Sequence, residues 1–370
     1  MTARRAPFAN IHADGARGRE APTGDSPPRR SLGVGPGISP AMTEPSTPKT
    51  HPADALVMVR SFEQHRTALT GHCYRMLASA AEADDAVQET MVRAWRAIDR
   101  FEGRSSLRTW LYRIATRVCL DMLEDRARRS RSMDLGPPAS LDAPLTALPA
   151  SQWVEPIADA RALPTDVDPA QLVALRQSIR LAFVAALQHL PPKQRAVLLL
   201  MEVLGWQASD VAESLETTVA AVNSALQRAR ATLATRDLET ARAPLTDAQS
   251  SLVDRFVEAF ERYDMDALTQ LLHADVAMSM PPHSLWIEGP ANVAAWMVGR
   301  GAACARSRLV PVEVCGSPAF AQYKPSEDGT RFTPWALLVL ELEGERIAEM
   351  TFFLDVETLF PRLGLPAELR

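Results

Sequence analysis

From Ala53 to about Arg131 apolar side chains return at helical spacing almost without interruption, and this periodicity constrains the fold more than any other feature. Phe62, Leu69, Cys73, Met76 and Leu77 form one stripe. Ala86, Val87, Met91, Ala94, Trp95 and Ile98 form a second, on a helix predicted from about Glu82 to Phe101. Glu102-Gly103-Arg104-Ser105-Ser106 breaks the pattern. A serine there can cap a third helix carrying Leu107, Trp110, Leu111, Ile114, Ala115, Val118 and Met122. A small all-α module over 53–131 is the expected product.

Composition changes on either side of it. Residues 1–52 are rich in Pro, Gly, Arg and Ser and lack periodicity, so they cannot bury enough apolar surface to offset ordering entropy and are expected to form a disordered tail. Arg4, Arg5, Arg17, Arg19, Arg29 and Arg30 leave both a solvated tail and nucleic-acid contact open, and translation from Met42 fits as well as from Met1. Residues 132–170 hold prolines at 137, 138, 144, 149, 156, 164 and 169, which predicts a linker with a docking segment around Trp153. Helices resume near Asp168 and give a second all-α module over 171–240. Ala243-Pro244-Leu245-Thr246-Asp247 marks a boundary, and 246–370 mixes helix with strand. For 370 residues, several cores are expected.

The net charge of −5 rules out a general polycation, so nucleic-acid binding requires local basic patches. Four cysteines (Cys73, Cys119, Cys304, Cys315) without a CxxC pair argue against zinc or a disulfide framework and for a reducing cytoplasm. No apolar run approaches the ~20 residues of a membrane span, and the N-terminus lacks the apolar core of a signal peptide. No metal or cofactor is expected.

Two constellations carry chemistry. In the first, Asp84, Asp85, Gln88 and Glu89 share one polar helix face. By itself this is an acidic first turn complementing the helix dipole. Beyond it, Arg104, Arg108, Arg113, Arg117, Arg126, Arg128, Arg129 and Arg131 stand against only Asp121, Glu124 and Asp125, with Trp110 and Tyr112 interleaved. Cations for phosphate and flat rings for unstacked bases are what a single strand requires, although Trp110 also suits a core. In the second, Pro191-Pro192 opens a helix that ends at Gly205. Gln207–Leu215 is a short helix, Glu216-Thr217-Thr218 a turn with a Thr cap, and Val219–Leu233 a final helix. Val219, Val222, Leu226, Ala229 and Leu233 point inward, and Asn223, Ser224, Gln227, Arg228 and Arg230 outward. This is either a plain helical hairpin or a helix-turn-helix, about 208–227, whose second helix reads a major groove.

The stretch from Tyr74 to Arg129 resembles region 2 of the sigma-70 family in its extracytoplasmic-function form. The resemblance rests on Asp84-Asp85-Ala86-Val87-Gln88-Glu89-Thr90, Trp95, Phe101-Glu102-Gly103 and Thr109-Trp110-Leu111-Tyr112-Arg113-Ile114-Ala115. It implies that Asp84, Asp85, Val87, Gln88 and Glu89 meet core RNA polymerase. It implies further that Ser105 and Ser106 lie in the loop holding a flipped base, while Arg108, Trp110, Tyr112, Arg113 and Arg117 track the −10 strand of promoter DNA. Opening the duplex costs a few kcal/mol of unstacking, offset by capture of the extruded base. Arg117 stands where the family often has Asn. Leu190 to Leu233 resembles sigma-70 region 4, implying −35 contacts by Thr218, Asn223, Ser224, Gln227, Arg228 and Arg230. Asn223 and Ala225 replace frequent family cations, which predicts a shallow salt dependence.

Behind these, a long helix with Leu252, Val253, Phe256, Val257, Phe260, Leu268, Leu271 and Leu272 precedes a strand through Val276, Met278 and Met280. A helix Ala291–Val298, strands near Leu309–Val314 and Thr333–Leu342, a turn at Gly344 and a strand Arg346–Leu354 follow. The opening "VDRFVEAFERYDMDALTQLLHADVAMSMPP", with a Trp and a Gly beyond it, resembles the SnoaL-like (nuclear transport factor 2-like) domain. That implies a cone-shaped α+β half-barrel with an apolar pocket. His273, Asp275, His283 and Trp286 are its candidate pocket groups, with capping as the plain role of His273 and Asp275. The fold class is thus multidomain: two all-α modules followed by an α+β domain.

The resemblance implies a cytoplasmic, non-enzymatic transcription initiation factor whose last domain regulates it, by folding back or through an anti-sigma protein or a small ligand. A helix-turn-helix regulator with a sensing domain would leave Asp84–Arg131 unexplained. An isomerase or hydrolase would need convergent titratable groups in the pocket.

Overall fold

The structure, a computed structural model, describes residues 60–124, 128–234, 245–326 and 328–370. The tail 1–52, Met42, Asp125, Arg126 and the Ala243-Pro244 boundary lie outside the described residues. Among those described, no single helix is long and apolar enough to cross a membrane.

Among the described residues three long helices, α1 (Arg66–Leu77), α2 (Ala80–Ala97) and α3 (Leu107–Met122), build the first module, with further helix at 60–63 ahead of them. Ala78 in the left-handed region ends α1, and the Ser79 side chain caps α2 by accepting from Glu82 N at 3.2 Å. Ser106 caps α3 by accepting from Thr109 N at 3.0 Å. Leu69, Cys73, Ala83, Ala86, Val87, Leu111, Ala115 and Cys119 pack without solvent exposure. At the centre His72 Nε2 lies 2.9 Å from Thr116 Oγ1. That hydroxyl already donates to Tyr112 O, so it accepts from His72, and the ring is a neutral Nε2–H tautomer. Burial, with Arg75 nearby, lowers the His72 pKa to about 3.

The proline-rich stretch, expected as a linker with a docking segment around Trp153, packs as a strap. Trp153 is buried and its Nε1 donates to Leu148 O at 3.3 Å. Arg129 donates to Trp153 O and pairs with Glu82 at 3.0 Å, joining the strap to α2. A one-turn helix α4 (Asp159–Ala162) follows. The second module comprises α5 (Pro169–Gln177), α6 (Leu181–Leu187), α7 (Pro192–Leu198, widening through Leu199–Val203), α8 (Ala208–Ser214) and α9 (Val219–Ala234). Val219, expected inward, is 45% exposed because it sits at the very start of α9, before the helix reaches its packing partners.

In the third domain the single predicted helix is two, α10 (Asp247–Arg262) and α11 (Met265–Thr269), because Tyr263 turns left-handed between them. The sheet contains β1 (Leu272–Ser279), β2 (Trp286–Glu288), β3 (Arg308–Val314), β4 (Ser317–Pro325), β5 (Phe332–Glu343) and β6 (Arg346–Phe353), in the order β2-β1-β6-β5-β4-β3. Only β1–β6 is parallel. Strand β4 has no counterpart among the predicted strands, and neither has the closing helix α13 (Val356–Arg362), which comes after α12 (Pro290–Val298), among the predicted helices. Alternation along β5 divides the core: Leu338 and Leu340 pack with α10 and α12, while Leu337 and Val339 join an apolar cluster continuous with both helical modules.

The β3–β4 turn, Cys315-Gly316, plugs into a socket made by the other parts of the chain. Cys315 N donates to Ile157 O at 2.9 Å and Gly316 N to Asp159 Oδ1 at 2.7 Å. Tyr74 on α1 closes the socket, its hydroxyl donating to Glu155 O at 2.8 Å and lying 3.8 Å from Cys315 Sγ. Deeper in, Arg131 pairs with Glu349 at 2.9 Å, and Arg180 pairs with Glu341. Burial raises the Glu349 carboxyl while Arg131 pulls it down, and burial dominates.

Candidate polymerase and nucleic-acid interface

Along α2, Asp85 and Gln88 are exposed, and Asp84 and Glu89 are partly so. Asp84 pairs with Arg161 of α4. Glu89 pairs with Arg93 at 2.7 Å, which also holds Asp121 of α3 at 2.8 Å. Val87 departs from expectation: it has no exposure and packs in the module core, because it lies on the inner side of the helix that presents the acids. The outer face is a row of acceptors suited to a cationic partner.

On α3 the expected residues separate by role. Ser106 is spent on the helix cap, whereas Ser105 stays in the loop, its hydroxyl 3.5 Å from Ser106 O. Trp110 is half-buried against Phe101, ring centroids 5.1 Å apart. Tyr112 is a correction to the idea of a free stacking ring. It is buried, donates to Ala68 O at 3.1 Å, and meets His72 and Trp206 edge-on. Arg108 lies over its ring, 5.8 Å from the centroid. Arg113 pairs with Glu213 at 2.7 Å, and Arg117 pairs with Glu216.

Thr218 caps α9, its hydroxyl accepting from Ala221 N at 3.2 Å. Asn223, Gln227 and Arg228 project into solvent, and Ser224 accepts from Arg228 at 2.6 Å. Arg230 is tied back to Glu202 at 2.6 Å. α8 and α9 are therefore in helix-turn-helix order, with polar side chains outward on the second.

The candidate pocket groups do not converge. His273 Nδ1 accepts from Asp275 N at 3.2 Å at the exposed start of β1, a local turn contact. Trp286 donates to Gly136 O at 2.9 Å beneath the strap, beside a shallow depression of about 250 Å³. His283 is not among that depression's lining residues. Among the described residues no cluster of three metal-ligating side chains occurs.

Comparison with known proteins fits this geometry. Residues 61–129 match sigma-70 region 2, residues 180–233 match sigma-70 region 4, and residues 253–350 match the SnoaL-like domain. The extracytoplasmic-function RNA polymerase sigma factor SigG of Mycobacterium tuberculosis is 43% identical over 313 residues, covering 83% of each chain. The chain belongs to the extracytoplasmic-function RNA polymerase sigma factors. The probable sigma factor SigI of the same organism is 28% identical over 321 residues, covering 84% of this chain and 96% of that one. The crystal structure of Mycobacterium tuberculosis SigJ shares the fold: TM-score 0.55 at 21% identity, over 84% of this sigma factor and 99% of SigJ. As a sigma factor the chain is a transcription initiation factor and not an enzyme.

The groups that sequence reasoning missed are the partners: Arg161, Glu213 and Glu216. Each lies 77 to 100 residues from the side chain it meets, and no spacing rule links such positions.

Proposed function

We propose that this sigma factor binds core RNA polymerase through the outer α2 face, Asp84, Asp85, Gln88 and Glu89. In this reading Ser105 and the α3 side chains Arg108, Trp110, Arg113 and Arg117 engage the −10 element, and Asn223, Ser224, Gln227 and Arg228 of α9 engage the −35 element. The domain limits follow 53–131, 171–240 and 246–370. The observation that carries the proposal is one three-helix bundle presenting an acidic face on α2 and an arginine row on α3, with a helix-turn-helix behind it. Acceptors suit a cationic clamp, and guanidinium suits phosphate. The third domain restrains these modules, as its docking through Cys315-Gly316 supports.

The test is transcription in a purified system of core polymerase, this protein and a promoter library. Promoter-specific transcripts are expected, lost on Asp85→Lys/Gln88→Lys together with core binding. No transcript and no binding to core would overturn the proposal.

A further inference from the structure

We infer that one end of the third domain's sheet is a further nucleic-acid surface, which holds a single strand of DNA by its phosphates on Arg306, Arg308 and Lys324 and by one base on Trp335. The functional reading above places DNA on the two helical modules alone; this surface is a third.

A chain of net charge −5 needs a local basic patch to hold nucleic acid, and the sequence concentrates one here. Between Glu288 and Glu313 it carries Arg300, Arg306 and Arg308 and no acid, and Lys324 is the one charged residue of β4. The sheet gathers these cations. Arg308 pairs with Tyr323 across β3 and β4, and Lys324 with Thr333 across β4 and β5. Arg306 stands just ahead of β3, between the turn Ala302–Cys304 and Arg308. A bulge completes the site. Gln322 pairs with Ala336 but Tyr323 with Pro334, which leaves Trp335 as the extra residue. Strict alternation would turn Trp335 to the side of Leu337 and Val339, toward the helical modules. The bulge turns it to the opposite face. There its indole N–H bonds to the Cys304 sulfur, and Lys324 Nζ lies 3.0 Å from its ring centroid.

Two features separate this patch from an ordinary solvated face. The first is aromatic. Trp335 is 40% exposed, and on the other face of the same sheet end Arg308 lies over Phe332, 4.0 Å from the centroid. Cations carried beside flat rings are what a single strand requires: charge for the backbone and a surface on which an unpaired base stacks. The second is the state of the charges. Arg306 is exposed and has no ionic or hydrogen-bond partner among the described residues, and the Arg308 hydrogen bond goes to Arg370 O at 3.1 Å. The acids at this end are engaged elsewhere. Glu261 accepts from Leu309 N at 2.8 Å, Glu368 pairs with Arg331 at 3.4 Å, and Asp328 accepts from Thr330 N at 3.1 Å. The chain is an initiation factor that works on promoter DNA, so the polyanion this surface fits is at hand.

The test uses the full chain carrying Arg108→Gln/Arg113→Gln/Arg117→Gln/Arg228→Gln, so that α3 and α9 contribute least. It reads the anisotropy of a labelled single-stranded DNA of mixed sequence across a salt series. Adding Arg306→Gln/Lys324→Gln should weaken binding and flatten the log–log salt slope by about 1.4, two single-strand phosphate contacts. Trp335→Ala should weaken binding about fivefold or more and leave the slope unchanged, since a ring contributes stacking and no charge. Arg255→Gln/Arg346→Gln removes the same charge from a depression at the opposite end of β5 and should leave both quantities at their starting values. No binding by the starting chain, a missing loss in either variant, or an equal loss in the control overturns the inference. So does a duplex of the same sequence bound as tightly as the single strand. Vesicles of phosphatidylglycerol and phosphatidylcholine serve as the last arm: if these variants abolish vesicle binding while DNA binding stays, the patch belongs to a membrane and the inference falls.

Discussion

Gly316 sets a sharp test of how the third domain is held. Its φ is +62°, and a Cβ there would lie 2.5 Å from Arg176 O and 2.7 Å from Arg176 Cγ. Gly316→Ala therefore meets two obstacles. A left-handed alanine costs about 1–2 kcal/mol wherever it sits. The clash with α5 backbone cannot be relieved by a rotamer change, so the tip must back out of its socket. It then gives up the bond to the Asp159 carboxylate, of a kind worth about 1.5–3 kcal/mol. The left-handed strain is the same whether the tip is docked or free and drops out of the docking balance, so the undocking penalty is about 1.5–3 kcal/mol. Gly344 supplies the comparison: it too lies in a two-residue hairpin turn with positive φ, +55°, but nothing stands within 4 Å of its Cβ. Limited proteolysis within residues 132–170 reports the undocked fraction when opening is fast relative to cleavage. Gly316→Ala should accelerate that cleavage by about ten- to a hundredfold, since 1.4 kcal/mol is tenfold. Gly344→Ala should leave it within a fewfold of wild type. Equal cleavage in the two variants would refute the close-approach argument, even if both lowered Tm.

Other outcomes follow from the same structure. His72 is neutral in the fold and titrates near 3, against an ordinary value of 6.5. Below pH 6.5 the unfolded chain takes up the proton first, so stability is full above that pH and falls by up to about 1.4 kcal/mol per pH unit down to pH 3. Urea unfolding from pH 7 to 5 should show this slope, and His72→Gln should flatten it; an unchanged slope would exclude His72 as its source. Arg131→Met leaves Glu349 buried without its cation and should cost about 3–5 kcal/mol. Swapping the pair in the double variant Arg131→Glu/Glu349→Arg should recover part of that loss in the same unfolding assay. For DNA, Arg228→Gln should reduce the log–log salt slope of −35 binding by the polymerase complex by about 0.9, one phosphate contact. Asn223→Arg should steepen it by the same amount, and no change in either would remove α9 from the DNA surface.

The sequence made the helical modules legible because their stripes are long and their breaks are chemically marked: Ser106 and Gly205 stand at the junctions where the helices begin and end. It also separated polar from apolar faces on α2 and α9. Val87 lies on the apolar stripe that the periodicity marks, and its burial bears out that stripe against the surface contact that the resemblance implied. Tyr112 escaped because an aromatic set among arginines reads as a stacking ring, and only the packed bundle brings it against His72 and the Ala68 carbonyl. Strand β4 was missed since Cys315 and Gly316 give a weak turn signal and Ala319 and Ala321 are poor strand formers that packing alone recruits. Trp153 marked where the strap docks, but the order of the rest was hidden by its prolines, which mark irregular backbone equally well when it is free and when it is packed. Arg161, Glu213 and Glu216 read as ordinary surface charges until tertiary contact pairs them.

The socket around Cys315 has a consequence in time. Tyr74 and Cys315 are separated by 241 positions, so the latch cannot form until nearly the whole chain has left the ribosome. Elongation at about 5–20 residues per second means that the helical modules are complete roughly ten seconds before the strand pair that carries the tip. Each new copy is therefore an unlatched protein first and a latched one afterwards. The abundance of the unlatched form then follows the rate of synthesis, and a burst of translation delivers it before any signal has to release it.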